Sequence, residues 1–491
     1  MLTFPHVIVL VVLGAAGQYP HYPTQGDCPY KECFCEGSDI LCADLHLKSV
    51  PQKSNNTSLN LGTLNLDGNL ITAIPAGSLP ANISTLSLQG NPIETIDLAA
   101  FDESINTLKT IRILGAKFTQ LPAAIFRLKQ LTELDIYSTN ILAWDYAGMR
   151  SLGATLQLLN LGTVGLTTWP DWLTSFAHLT ELIVTSNDIS YLPDDALDLV
   201  ANTLTELAIS DTKINAVPKT LSKMTALKLL SLEQNVITDI TWLPQLCNLT
   251  QLSLNGNRIS DAKKLSTALH FYAGTIYNFV INDNLLTSIP DMSFLTLVTS
   301  LDYTNNHISD PSSGVIPGGL TDLTLGNNFL PSIPSIFKTM KSVPNLVLSY
   351  NRILSIQGSD FPNSTTSVDL GNNIITELTD TSFPENSIIT KLLLPFNPIS
   401  KISLSAFENL PQLQQLDIRH TKLTRLPLAI ASLTKLSYID VTGSTDLVCT
   451  CLEKSLETIL SPLDSYNVFG DCGQTSLYIF FRELSSSCPT I

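Results

Sequence analysis

The chain has 491 residues and a formal net charge of −16; 44% of it is apolar and only 14% charged, ample material for a core and little for disorder. So acidic a polypeptide repels phosphate backbones and anionic head groups, which makes nucleic acid and acidic membrane surfaces poor partner candidates.

The chain opens with MLTFPHVIVLVVLGAAG. Its apolar core, Val7 to Ala16, has the length of a secretory signal and is too short to span a bilayer. Ala15 and Gly17 supply the small residues of a cleavage site, so residues 1–17 are expected to be removed, although the segment before the core holds His6 rather than Lys or Arg. No later run reaches spanning length, and the end, SSSCPTI, has no lipid-anchor tail. The expectation is a secreted protein without stable membrane insertion.

Residues 18–50 form an N-terminal region with Cys28, Cys33, Cys35 and Cys42; residues 446–491 close the chain with Cys449, Cys451, Cys472 and Cys488. Two tight, even clusters behind a signal sequence read as disulfide staples, and spacing alone leaves three connectivities in each. The one-residue spacers in Cys33-x-Cys35 and Cys449-x-Cys451, with no histidine to complete either set, do not suit zinc. Cys247 is the odd thiol, and its place before a strand predicts a buried, inert residue.

Between the clusters, residues 51–445 repeat one pattern, as in TLSLQGNPI, QLSLNGNRI, DLTLGNNFL and KLLLPFNPI. Counting substitutes, its Asn position recurs seventeen times from Asn69 to Ser444, at intervals of 22 to 27 residues, so the chain is a solenoid of about seventeen repeats rather than a row of globular domains. The alternating part, such as Leu252-x-Leu254, has period two and predicts a short strand; strands stacked in parallel ~4.8 Å apart give an inner arc of roughly 75–80 Å. Prolines in ITAIPAGSL, FTQLPAAIF, INAVPKTLS and LTRLPLAIA start short helical or extended returns on the outer side. An Asn after the strand, such as Asn257, can satisfy backbone groups at the bend and tie neighbouring coils together. Ala116 and Val164 stand in this column without a polar side chain, which predicts weaker coil-to-coil bonding there.

The LxxLxLxxN motif of Leu249, Leu252, Leu254 and Asn257 resembles the extracellular leucine-rich repeat family, and the resemblance covers nearly the whole mature chain. It implies an α/β horseshoe with a parallel sheet on the concave face. CPYKECFCEGSDILC and the cysteines of the last segment are similar to that family's terminal caps, although the C-terminal one lacks the tryptophan common in animal members. Family practice implies the pairs Cys28–Cys35, Cys33–Cys42, Cys449–Cys472 and Cys451–Cys488. It also implies binding on the concave sheet without catalysis, a fold-level analogy.

The concave positions free to vary lie two, four and six residues before the column. Eleven of these fifty-one are acidic: Asp67, Glu133, Asp135, Glu181, Glu206, Glu233, Asp302, Asp322, Asp369, Asp417 and Asp440. Three are basic, Arg112, Lys391 and Arg419. Such a face attracts a cationic partner, and also serves simply to keep an apolar solenoid soluble. Glu181 with Glu206, and Asp417 with Asp440, occupy equivalent places in consecutive repeats, where like charges repel, hold a cation or await a basic partner. Tyr137 is the clearest aromatic on this face, while Tyr350, Phe396, His307 and His420 flank the column at the rim. Sequons occur at Asn55, Asn56, Asn82, Asn248 and Asn363, and the last three each precede a strand, which places their glycans off the inner sheet.

HExxH, GxSxG and a phosphate-binding glycine-rich loop are all absent from the sequence, so no enzyme activity and no cofactor are expected. The expected function is recognition of an extracellular protein or glycan, cationic or hydroxyl-rich, through the concave face. Inhibition of an extracellular hydrolase and self-assembly as a matrix component are the alternatives.

Overall fold

The structure, a computed structural model, describes residues 28–53, 62–340 and 343–488. The signal segment 1–17 and the sequons Asn55 and Asn56 lie outside the described residues. One strand per repeat stacks in parallel and in register along the inner face, so that Leu230, Leu252 and Phe279 are successive partners. The leucines between them form one continuous buried core.

The ends are closed as the cysteine clusters implied. A hairpin of Phe34–Glu36 and Asp39–Leu41 lays Ile40 beside Leu64 of the first repeat, and at the far end Val468 pairs with Ile439. The four disulfides join Cys28 to Cys35, Cys33 to Cys42, Cys449 to Cys472 and Cys451 to Cys488. Without these caps the terminal coils would expose an apolar face. Cys247 is buried and unpaired in disulfide terms, and burial pushes its thiol up to about 11.

The outer returns are mostly short 3-10 helices. Four of them, Asp171–Ser175, Lys219–Lys223, Ser335–Thr339 and Leu428–Ser432, begin directly after a proline in extended conformation. Proline's fixed φ and missing N–H suit that entry, and the tighter 3-10 turn fits a coil this short. Two α-helices, Tyr146–Leu152 and Ala262–Leu269, start at Asp145 and Asp261, whose carboxylates accept from backbone N–H groups of the first turn.

The asparagine column works as expected. The Asn257 amide donates to the carbonyls of Leu232, Leu254 and Asn255 at 2.9, 3.0 and 3.3 Å, and its oxygen accepts from Ile237 N at 3.0 Å. Leu232 and Ile237 belong to the preceding coil, so one side chain staples two repeats. Asn69 does the same for the N-terminal cap, accepting from Leu45 N and Leu47 N.

The weaker coil-to-coil bonding expected at Ala116 and Val164 differs between the two places. The strands there, Thr110–Leu114, Glu133–Tyr137 and Leu158–Gly162, run to five residues, as do Glu181–Thr185 and Glu206–Ser210, where Asn187 and Thr212 keep a polar side chain, so strand length does not follow the missing amide. At Val164 the backbone replaces the side chain, Ile141 N donating to Val164 O of the next coil at 3.1 Å; at Ala116 it does not, and Ile93 N turns back to Asn91 O of its own coil at 2.8 Å, so the bond between coils is lost there as expected.

The inner strands divide into a twelve-stranded and an eight-stranded sheet, interrupted between Asn278–Val280 and Ser300–Asp302. At this point Phe279 and Tyr303 replace the aliphatic residues that fill the two buried strand rows in every other repeat. The ladder is interrupted where these larger rings enter the close-packed coil. Bonds beyond the strands bridge the break, Asp283 N to Thr304 O at 2.9 Å and Asn284 N to Asn305 O at 3.1 Å. The Tyr303 hydroxyl is buried there without a hydrogen-bond partner. Among the described residues, no helix is long and apolar enough to cross a membrane.

Candidate functional site

Alternation along Glu133–Tyr137 buries Leu134 and Ile136 and turns Glu133, Asp135 and Tyr137 to the concave side. Register then decides their neighbours. Arg112 lies beside Asp135 on one strand, Asn160 on the other, and Gly162 beside Tyr137. Arg112 donates to Glu133 Oε1 through Nη2 at 2.8 Å and Nε at 3.2 Å, while Thr110 donates to Oε2 at 3.1 Å. The Tyr137 ring fills the space over Gly162, where a Cβ would strike it. Glu181 and Glu206 are in direct register two strands further on.

Asp135 is the most perturbed acid of this group. Burial pushes its carboxyl up to about 6, against the pull of Arg112 and with some help from Glu133. Asp135 Oδ1 and Asn160 Oδ1, on register-paired residues, are both buried and without a hydrogen-bond donor. The pair is short of donors, not acceptors.

The remaining acids divide by how much of their charge they keep. Asp67 accepts from the Ser87 hydroxyl at 2.6 Å and Gln89 N at 2.8 Å, and burial still holds its pKa above the usual value. Glu233, also raised by burial, accepts from Ser253 at 3.2 Å, and Asp322 from the Asn345 amide at 2.9 Å. Asp302, Asp369, Asp417 and Asp440 each accept from the backbone N–H two residues on, in local turns. Asp417 and Asp440 are only 4% and 6% exposed, and Arg419 lies between them, 3.1 Å from one and 3.9 Å from the other. They are adjacent in register, as their repeat positions implied, but do not form an open acidic pair; their charge is spent on their own turns and on Arg419.

The rim carries a feature that strand periodicity did not reveal. All seventeen residues immediately before the column have positive φ, between 47° and 75°. Glycine and asparagine fill many of these places at low cost, but Tyr350 and Phe396 adopt the same conformation and remain 59% and 48% exposed. Phe396 stacks on His420 at 4.2 Å and 11°. One place after the column, Arg352 lies 4.5 Å over the Phe329 ring, with His307 on its neighbouring side at 5.5 Å. The signal available in the sequence was bulky aromatics at a position otherwise held by small polar residues.

Asn82, Asn248 and Asn363 are exposed and lie in segments that precede strands, outside the inner sheet. Among the described residues, no group of three or more His, Cys, Asp or Glu is arranged to hold a metal.

Three segments, 202–259, 363–423 and 387–447, match the family model described as Leucine rich repeat. The chain is similar to human Leucine-rich repeats and immunoglobulin-like domains protein 1, 31% identical over 160 residues, which are 32% of this chain and 15% of that protein. It therefore spans only a small part of that relative's length. Among solved structures, a leucine-rich repeat protein of Leptospira interrogans aligns with TM-score 0.55 and 19% identity over 78% of this chain and 96% of that one. The plant peptide hormone receptor RGFR1, in complex with RGF2, aligns with TM-score 0.52 and 20% identity over 87% of this chain and 85% of that one. At such identities these two likenesses speak for the fold alone.

Proposed function

Because this chain is a leucine-rich repeat protein, we propose that it is a secreted recognition protein that holds a cationic protein partner on the N-terminal half of its concave sheet. One observation carries the reading. In the concave rows from Asp67 to Glu233 acidic residues outnumber basic ones six to one, and the single base, Arg112, is paired with Glu133, so the net field of these rows is negative. A concavity concentrates such a field and speeds encounter with an opposite charge. Tyr137, spread over Gly162, supplies a flat apolar surface at the centre of the acidic group, the composition of a protein hot spot. Four disulfides support an oxidising, extracellular setting, and glycans on Asn82, Asn248 and Asn363 would leave the inner face open.

The test is capture from extracellular extract at low and raised salt, comparing the native protein with a variant carrying Glu133→Gln, Asp135→Asn, Glu181→Gln and Glu206→Gln. Capture by the native protein that weakens with salt and is lost in the variant is the expected result. Capture unaffected by either change defeats the acidic-face reading.

A further inference from the structure

The geometry points to a second binding strip, on the rim of the C-terminal half, that takes a proline-rich segment of a partner in the polyproline II conformation. Its first support is the backbone. Tyr350 and Phe396 stand at φ 56° and 57°, where a bulky L residue costs ~1–2 kcal/mol, although Asn372 between them shows that asparagine serves the position. The conformation is common to every repeat, so what distinguishes Tyr350 and Phe396 is that bulky rings are kept there and left exposed.

The second support is spacing. Tyr350 and Phe396 are two repeats apart, so the backbone positions that carry them are set ~9.6 Å apart along the solenoid. A polyproline II turn has three residues and rises ~9.3 Å, so one face of such a segment meets both rings in step. An extended strand repeats every ~6.7 Å and falls out of step. Phe396 is braced from behind by His420, which in turn fits against Gly443, where any Cβ would strike the imidazole.

The third support is the balance of donors and acceptors. From Tyr350 to Lys422 the residues just before and just after the column are Tyr350, Arg352, Asn372, Ile374, Phe396, Pro398, His420 and Lys422. They supply a phenol, an amide, an imidazole, a guanidinium and an ammonium, but no carboxylate. A proline-rich segment offers carbonyl acceptors and few N–H donors, and so complements them. A glycan, whose hydroxyls both donate and accept, would leave many of its donors unmatched. The strip lies apart from the acidic residues of the N-terminal half and does not depend on their role.

The experiment measures binding of a labelled oligoproline of about twelve residues, ~four turns, by fluorescence anisotropy to the full chain. Controls are a glycine–serine peptide of equal length and a neutral β-linked oligosaccharide. Tyr350→Asn and Phe396→Asn should each weaken oligoproline binding at least ~tenfold, while the melting temperature stays level or rises because asparagine relieves the backbone cost. That pairing separates a lost contact from a lost fold. Oligoproline binding no tighter than the glycine–serine control overturns the inference, as does full retention in the double variant. Binding of the oligosaccharide in place of the peptide assigns the strip to a glycan and also overturns it.

Discussion

Asp135→Asn should make this protein more stable at neutral pH, although it removes a charge next to an arginine. The carboxyl's rise from 3.8 to about 6 comes first from burial, which outweighs the attraction of Arg112. An acid with a raised folded pKa contributes full stability below its unfolded value, and that contribution is lost as pH climbs through the folded value. The whole interval corresponds to ~3 kcal/mol at about 1.4 kcal/mol per pH unit. Asp135 is half-buried rather than sealed, so ~1–2 kcal/mol is the expected gain for the neutral isostere. Urea unfolding of both proteins at pH 7.5 and pH 4 measures it: the variant should lead at pH 7.5, and the difference should close at pH 4, where the native carboxyl is largely protonated. A variant less stable at pH 7.5 would show that the Arg112 interaction dominates, and would refute burial as the governing cause.

Asn257→Ala leaves the buried amide of Ile237 without its acceptor and takes one of two amide donors from the carbonyls of Leu232 and Leu254, which keep Asn235 and Asn284, and should cost ~1–3 kcal/mol in urea unfolding; a loss under ~0.5 kcal/mol would contradict the staple role. Tyr303→Phe removes a buried hydroxyl with no partner and should raise stability by ~1 kcal/mol, measured in the same way; a clear loss would indicate a partner the geometry does not contain. Cys247, buried and with its thiol pushed up to about 11, should resist a disulfide-exchange reagent in the native protein and react only in denaturant. Rapid native labelling would contradict that burial.

The period of the leucines and the recurrence of one asparagine were enough to read the solenoid, because each repeat poses the same local problem and solves it with the same side chains. Asn257 and the cap cysteines belong to that legible part. What the pattern hid depended on backbone conformation or on what neighbours do when a residue is missing. At Val164 a backbone carbonyl takes over the bond from Ile141 N, a replacement invisible to a reading that counts side-chain donors, whereas at Ala116 Ile93 N turns back on its own coil. Phe279 and Tyr303 look like ordinary apolar substitutions until their sizes meet in adjacent coils and interrupt the sheet. On the concave face, sequence placed Asp417 and Asp440 side by side correctly, but their burial depends on Arg419 and on turn amides two residues ahead. The left-handed row before the column shows in the sequence only where its members are glycine or asparagine; at Tyr350 and Phe396 the residue type stands out but does not announce the conformation.

The measurement that bears most directly on the acidic concave face is the association rate of its captured partner as a function of ionic strength, for the native protein and for the combined Glu133→Gln, Glu181→Gln and Glu206→Gln variant. Charge focused by the concavity predicts a rate that falls ~tenfold or more from low to physiological salt in the native protein and is slower and nearly flat in the variant. Identical salt dependence in the two proteins would contradict recognition through that face.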